Sequence, residues 1–94
     1  MSDLAELAAV LGRVAELLAR DDVNTIWSGY AADELRAEVA RLLARAESGE
    51  PLADSERGLA RYLFLPTGPL QETAISSGWG DEFLGLANRA DAAI

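Results

Sequence analysis

The spacing of the large apolar residues between positions 3 and 20 does most to limit what this chain can fold into. They recur at alternating steps of three and four residues, a period that places side chains along one face of an α-helix. The pattern predicts a helix over residues 3–20, begun by a cap at Ser2 or Asp3. Its core face comprises Leu4, Leu7, Val10, Leu11, Val14, Leu17 and Leu18.

Similar spacing predicts four more helices, over residues 33–47, 54–64, 70–77 and 80–91. The candidate caps for the second and third helices are Asp33, Asp54 and Ser55. Residues 21–32 form the longest connection, and the apolar side chains within it predict a packed loop. We expect Ile26 and Ile75 to be among the core residues. The fold class is therefore all-α: one domain over residues 1–94, a compact bundle of about five helices with a short fourth helix and orthogonal packing.

Two prolines and three glycines between positions 66 and 80 mark turns in an otherwise helix-forming sequence. Gly68 followed by Pro69 is typical of a helix start, because proline is tolerated at the first helical position. Gly78 is typical of the left-handed residue that ends a helix. The alternative is a β-hairpin over residues 62–77, which the prolines disfavour because each removes a ladder hydrogen-bond donor.

The Gly-Trp-Gly sequence at residues 78–80 has two interpretations. If Gly80 is the N-cap of the last helix, Trp79 can form a hydrophobic staple with Leu84 and also pack back on the preceding helix. Alternatively, Trp79 is an exposed aromatic anchor for a partner, since tryptophan, tyrosine and arginine dominate interface hot spots. The candidate partner-binding residues are Trp27, Tyr30, Trp79, Asp81 and Glu82.

The composition argues against catalysis and metal binding. The chain contains no histidine, cysteine or lysine, so the usual general bases, nucleophiles and transition-metal ligands are missing. The carboxylate pairs lie at loop ends and in first helical turns, where negative charge is locally favoured. We therefore expect no enzymatic activity, no cofactor and no metal site.

The net charge of −8, from sixteen acidic and eight basic residues, argues against nucleic acid and anionic membrane surfaces as partners. Residues 71–90 have helix-turn-helix spacing, but the would-be recognition helix opens with Asp81 and Glu82, which repel phosphate. Acidic residues near the N-terminus and the lack of a long apolar run predict a cytoplasmic protein of bacterial type.

A uniformly acidic chain without catalytic residues favours a protein-interaction module with a basic partner. The most concrete form is an immunity or inhibitor protein that neutralises a basic toxin or nuclease. The alternatives are a regulatory adaptor of a larger enzyme and a structural homo-oligomer, most simply a homodimer. Close packing between copies would use the small residues beside the leucine face of the first helix, Ala5, Ala8, Gly12, Ala15 and Ala19.

Overall fold

Five α-helices make up most of the computed structural model, which describes residues 3–26, 28–66 and 68–94. No strand occurs among these residues, so the predicted all-α bundle is confirmed. Each observed helix lies within about two residues of its predicted bounds, the usual uncertainty of helix ends. The helices are α1 (Leu4–Leu18), α2 (Ala32–Glu47), α3 (Asp54–Leu63), α4 (Pro69–Ser77) and α5 (Gly80–Ala93).

Helix α1 is the centre of the bundle and packs mainly against α2 and α5. Its cap is Asp3, whose carboxylate accepts a hydrogen bond from the backbone N–H of Glu6 at 3.0 Å. The predicted core face is buried except for half-buried Leu4. Each fully buried side chain of this kind contributes about 1.5–3 kcal/mol of transfer free energy, so this face is a major source of stability. The six buried residues are Leu7, Val10, Leu11, Val14, Leu17 and Leu18.

Two ion pairs show that α1 and α5 run antiparallel. Arg89 Nε donates to Glu6 Oε1 at 2.6 Å, joining the end of α5 to the start of α1. Arg13 Nε donates to Glu82 Oε2 at 2.5 Å, joining the start of α5 to the second half of α1. Since these helices are aligned along their length, any orthogonal crossing involves the other helices.

Helices α2 and α3 begin with a glutamate that reaches back to the residue before the helix. Glu34 Oε1 accepts from the backbone N–H of Ala31 at 3.3 Å, and Glu56 Oε1 accepts from that of Ala53 at 2.9 Å. This contact is the glutamate half of a capping box, because alanine has no side-chain oxygen to complete it, and it puts negative charge in the first turn, where the helix dipole favours it. The predicted caps were therefore wrong, and these residues lie inside the first turns: Asp33, Asp54 and Ser55.

The segment between α3 and α4 is a helix-to-helix turn. Gly68 precedes α4 and Pro69 is its first residue, as the Gly-Pro pair predicts. The backbone N–H of Gly68 donates to the carbonyl oxygen of Leu65 at 2.9 Å, which tightens the turn. Because residues 62–63 and 69–77 are helical, the alternative β-hairpin over 62–77 is wrong.

Candidate functional site

The Gly-Trp-Gly sequence forms a sharp corner between α4 and α5. Gly78 ends α4 in the left-handed conformation with φ 89°, as predicted. The backbone N–H of Trp79 donates to the carbonyl oxygen of Ala74 at 2.9 Å, and that of Gly78 donates to Ile75 at 3.4 Å. These are the two hydrogen bonds of a Schellman motif. Helix α5 starts immediately afterwards, so the corner contains no flexible linker.

Trp79 is a core residue that holds this corner together. Only 5% of it is exposed, which rules out the interpretation of Trp79 as an exposed aromatic anchor. Its ring meets Phe83 edge to face, with the centroids 6.3 Å apart. Phe83 in turn stacks on Phe64 at a centroid distance of 5.9 Å. The three rings therefore join the corner to the end of α3.

The predicted staple between Trp79 and Leu84 is wrong. Gly80 is the first residue of α5, and Trp79 takes the N-cap position predicted for Gly80. This shift by one residue moves the fourth helical position from Leu84 to Phe83, which is the residue Trp79 contacts. Leu84 instead points away from the core, with 54% of it exposed.

An open groove of about 500 Å³ lies over the corner. Gly78 and Gly80 contribute no side chains to its wall, and an added Cβ at Gly78 would meet no atom within 4 Å. Trp79 also lines the groove, and its Nε1 is buried without an acceptor among the described residues. The other lining residues are Arg20, Ile75, Asp81 and Glu82.

Two isoleucines expected in the core are instead the most exposed large apolar residues at this end of the bundle. Ile75 is 60% exposed and Ile26 is 72% exposed. A hydrogen bond from the backbone N–H of Asn24 to Ser77 Oγ at 2.8 Å ties the loop after α1 to the last turn of α4. Asn24 Oδ1 also accepts from the backbone N–H of Ile26 at 3.0 Å. Ile26 follows Asn24 by two residues and Ile75 precedes Ser77 by two. The hydrogen bond between Asn24 and Ser77 therefore brings together the two segments that carry the isoleucines.

Exposed carboxylates lie at the same end of the bundle, and one of them, Asp81, lines the groove together with Ile75. Asp81 is exposed in the first turn of α5, and Asp21 and Asp22 are exposed directly after Arg20. None of the three takes part in an ion pair within the described part of the chain. We call the set Ile26, Ile75, Asp21, Asp22 and Asp81 the corner surface.

Glu82 has a structural partner, unlike Asp81. Arg13 donates to its two carboxylate oxygens, from Nε at 2.5 Å and from Nη2 at 3.0 Å. These hydrogen bonds, with the nearby charges of Arg13 and Arg20, lower the pKa of Glu82. A bidentate pair of this kind positions α5 on α1. Of the two predicted acidic residues, Asp81 is thus the one whose carboxylate is not already paired.

Tyr30 is not among the described residues that line the groove. Tyr30 is half-buried and packs against the core, and its burial, followed by the proximity of Tyr62, raises its pKa. Its backbone N–H donates to Ser28 Oγ at 3.0 Å, which fixes the end of the loop. Trp27 lies outside the described residues.

Sequence reasoning missed the exposure of Ile75 and the contact between Asn24 and Ser77. The helical spacing did carry a signal for Ile75: the buried residues Leu70, Thr73 and Ala74 define the inner face of α4, and Ile75 falls outside it. The hydrogen bond of Asn24 to Ser77 joins residues far apart in sequence and left no local pattern.

The charged groups in the described lining of the groove are the guanidinium of Arg20 and the carboxylates of Asp81 and Glu82. In the described part of the chain, no cluster of three or more potential ligands is arranged to hold a metal ion. None of the described helices is long and apolar enough to cross a membrane. Comparison of the chain with protein-family models, curated proteins and solved structures gives no match.

Proposed function

We propose that the protein is a non-enzymatic protein-interaction module whose partner presents a basic surface. The observation that carries the proposal is the corner surface, where two strongly exposed isoleucines and three carboxylates without ion pairs lie at one end of the described bundle. Burial of apolar area stabilises a complex, while charged groups around that area speed association and disfavour partners of the wrong charge. The net charge of −8 means that the molecule as a whole also attracts a basic partner.

The concrete form we favour is an inhibitor or immunity protein for a basic toxin or nuclease. Enzymes that act on nucleic acid need cationic surfaces to hold phosphate groups. A rigid acidic surface with an apolar centre can occupy such a site and exclude the substrate. Binding of the same kind to a larger enzyme would make the protein a regulatory adaptor.

Affinity capture at two ionic strengths tests this function. The immobilised protein is exposed to lysate of its source organism at about 0.05 M and about 0.5 M salt, because screening weakens attraction between charged surfaces. Retained proteins are identified, purified and titrated calorimetrically at both salt concentrations. We expect a basic protein whose affinity falls as salt rises. A purified partner that is acidic, or whose affinity is independent of salt, would contradict the proposal.

Self-association is the second candidate, favoured by the small-residue side of α1. Ala5 and Ala19 are exposed, while Ala8, Gly12 and Ala15 are only half-buried, so α2 and α5 leave part of this side uncovered. Small side chains let a second helix approach closely. Sedimentation of the wild type and of Ala5→Arg, which places a charge on the exposed part of this small-residue side, distinguishes the two functions. A dimer that the substitution dissociates supports this candidate.

A further inference from the structure

We propose that the groove over the Gly-Trp-Gly corner binds a cationic apolar segment of the partner protein. An aliphatic or aromatic side chain of that segment packs on Ile75, and a neighbouring lysine or arginine pairs with Asp81. This inference rests on the proposed function and adds the location of the interface and the chemistry of its occupant.

The shape of the groove favours an extended segment. Gly78 lines the groove without a side chain, and an added Cβ there would meet no atom within 4 Å, so a polypeptide backbone can approach the corner closely at this residue. The floor is held by the core contact between Trp79 and Phe83 and by the hydrogen bond from Trp79 to Ala74. A groove that is already formed does not lose ordering entropy when the segment binds.

The chemistry of the groove specifies the charge of the segment. Asp81 is exposed and has no ion pair in the described part of the chain, whereas Glu82 is already held by Arg13. Arg20 also lines the groove, so the cation must reach the Asp81 side. Asp21 and Asp22 follow Arg20 and add negative potential at the same end of the bundle.

Selection from a phage-displayed library of random peptides on the full-length protein tests the inference. The site variant is Ile75→Ser with Asp81→Asn. The matched control is Leu84→Ser with Asp91→Asn, which makes the same chemical changes at an exposed leucine and an exposed aspartate outside the groove. Thermal melts establish that both variants fold.

We expect enriched peptides that combine lysine or arginine with a large apolar residue. The site variant should weaken their binding about tenfold or more, as loss of a hot spot does, and the control should leave it within about twofold. In the wild-type protein, amide resonances of residues 75–81 should shift when the peptide is added. Because these shifts are measured on the wild-type protein, they locate the binding site even if the site variant is unstable.

Three results would overturn the inference, and they separate it from the proposed function. If basic peptides bind the site variant as tightly as the wild type, or shift resonances elsewhere, the location is wrong and the proposed function stands. If the enriched peptides lack basic residues, both proposals fail. If no peptide is enriched, the groove does not accept a segment, and the function is left to the capture experiment.

Discussion

Arg36 on α2 caps the end of α1 by donating from Nε to the carbonyl oxygen of Leu18 at 2.6 Å. Its Nη2 also donates to the carbonyl oxygen of Arg20 at 3.3 Å. The last carbonyls of a helix have no partner within the helix, and a cation beside them interacts favourably with the helix dipole. Helix α1 has no basic residue in its own last turn, so a residue from the neighbouring helix supplies this charge.

Replacing Arg36 with alanine should lower the free energy of unfolding by about 1–3 kcal/mol, the range for hydrogen bonds to charged groups. Urea denaturation measures the change. Arg41→Ala is the control, because the ion pair of Arg41 in the described part of the chain is with Glu38 on its own helix, at 2.8 Å, and we expect the substitution to cost about 0.5 kcal/mol or less. Equal losses in the two variants would show that Arg36 contributes no more than a surface ion pair.

Trp79→Ala should destabilise the protein by about 3–5 kcal/mol, because it removes a buried indole and leaves a cavity beside Phe83. Leu84→Ala should change stability by about 0.5 kcal/mol or less, since more than half of Leu84 is exposed. Thermal melts compare the two. A small loss for Trp79→Ala would mean that the corner does not depend on the indole.

Gly68→Ala should destabilise the turn between α3 and α4. An added Cβ would lie 2.9 Å from the carbonyl oxygens of Tyr62 and Leu65, so the backbone must shift, at a cost of about 1–3 kcal/mol. At Gly85, inside α5, a Cβ would meet no atom within 4 Å, and alanine should stabilise the helix by about 0.5–1 kcal/mol. Replacing glycine with alanine should therefore lower the denaturation midpoint at residue 68 and raise it at residue 85.

Stability should fall in acid partly because of Glu82. Its hydrogen bonds with Arg13 hold its pKa below the ordinary value of 4.5. The folded state thus favours the carboxylate, so this contribution is complete above pH 4.5 and is lost as the pH falls through the lower folded pKa. Denaturant titrations between neutral pH and acid should show a shallower decline for Glu82→Gln.

The Arg13→Gln variant provides the control for that titration. If the pair acts as a unit, Glu82→Gln, Arg13→Gln and the double variant should show the same reduced dependence on pH. If Arg13→Gln keeps more of the pH dependence than Glu82→Gln does, other partners, such as the nearby charge of Arg20, also lower the pKa of Glu82.

Part of the candidate site could be predicted from local sequence. Gly78 was identified as a helix stop, and Asp81 was identified as a candidate contact at the start of α5. The helix stop at Gly78 is confirmed, because cap and turn chemistry acts over only a few positions, whereas the partner contact of Asp81 stays a prediction. The partner of Trp79 was misassigned because the N-cap of α5 is Trp79 and not Gly80, and a shift of one residue, 100° around a helix, selects a different neighbour.

The sequence by itself determined the five helices, since the period of the apolar residues, the Gly-Pro start of α4 and the Gly78 stop are all local properties. Only the tertiary structure decided which apolar residues would be left exposed. Ile75 and Ile26 are as apolar as the buried leucines, but no other element covers them. A side chain is buried only if another part of the folded chain packs against it. Likewise, distant residues such as Asn24 and Ser77 come together only when the helices pack.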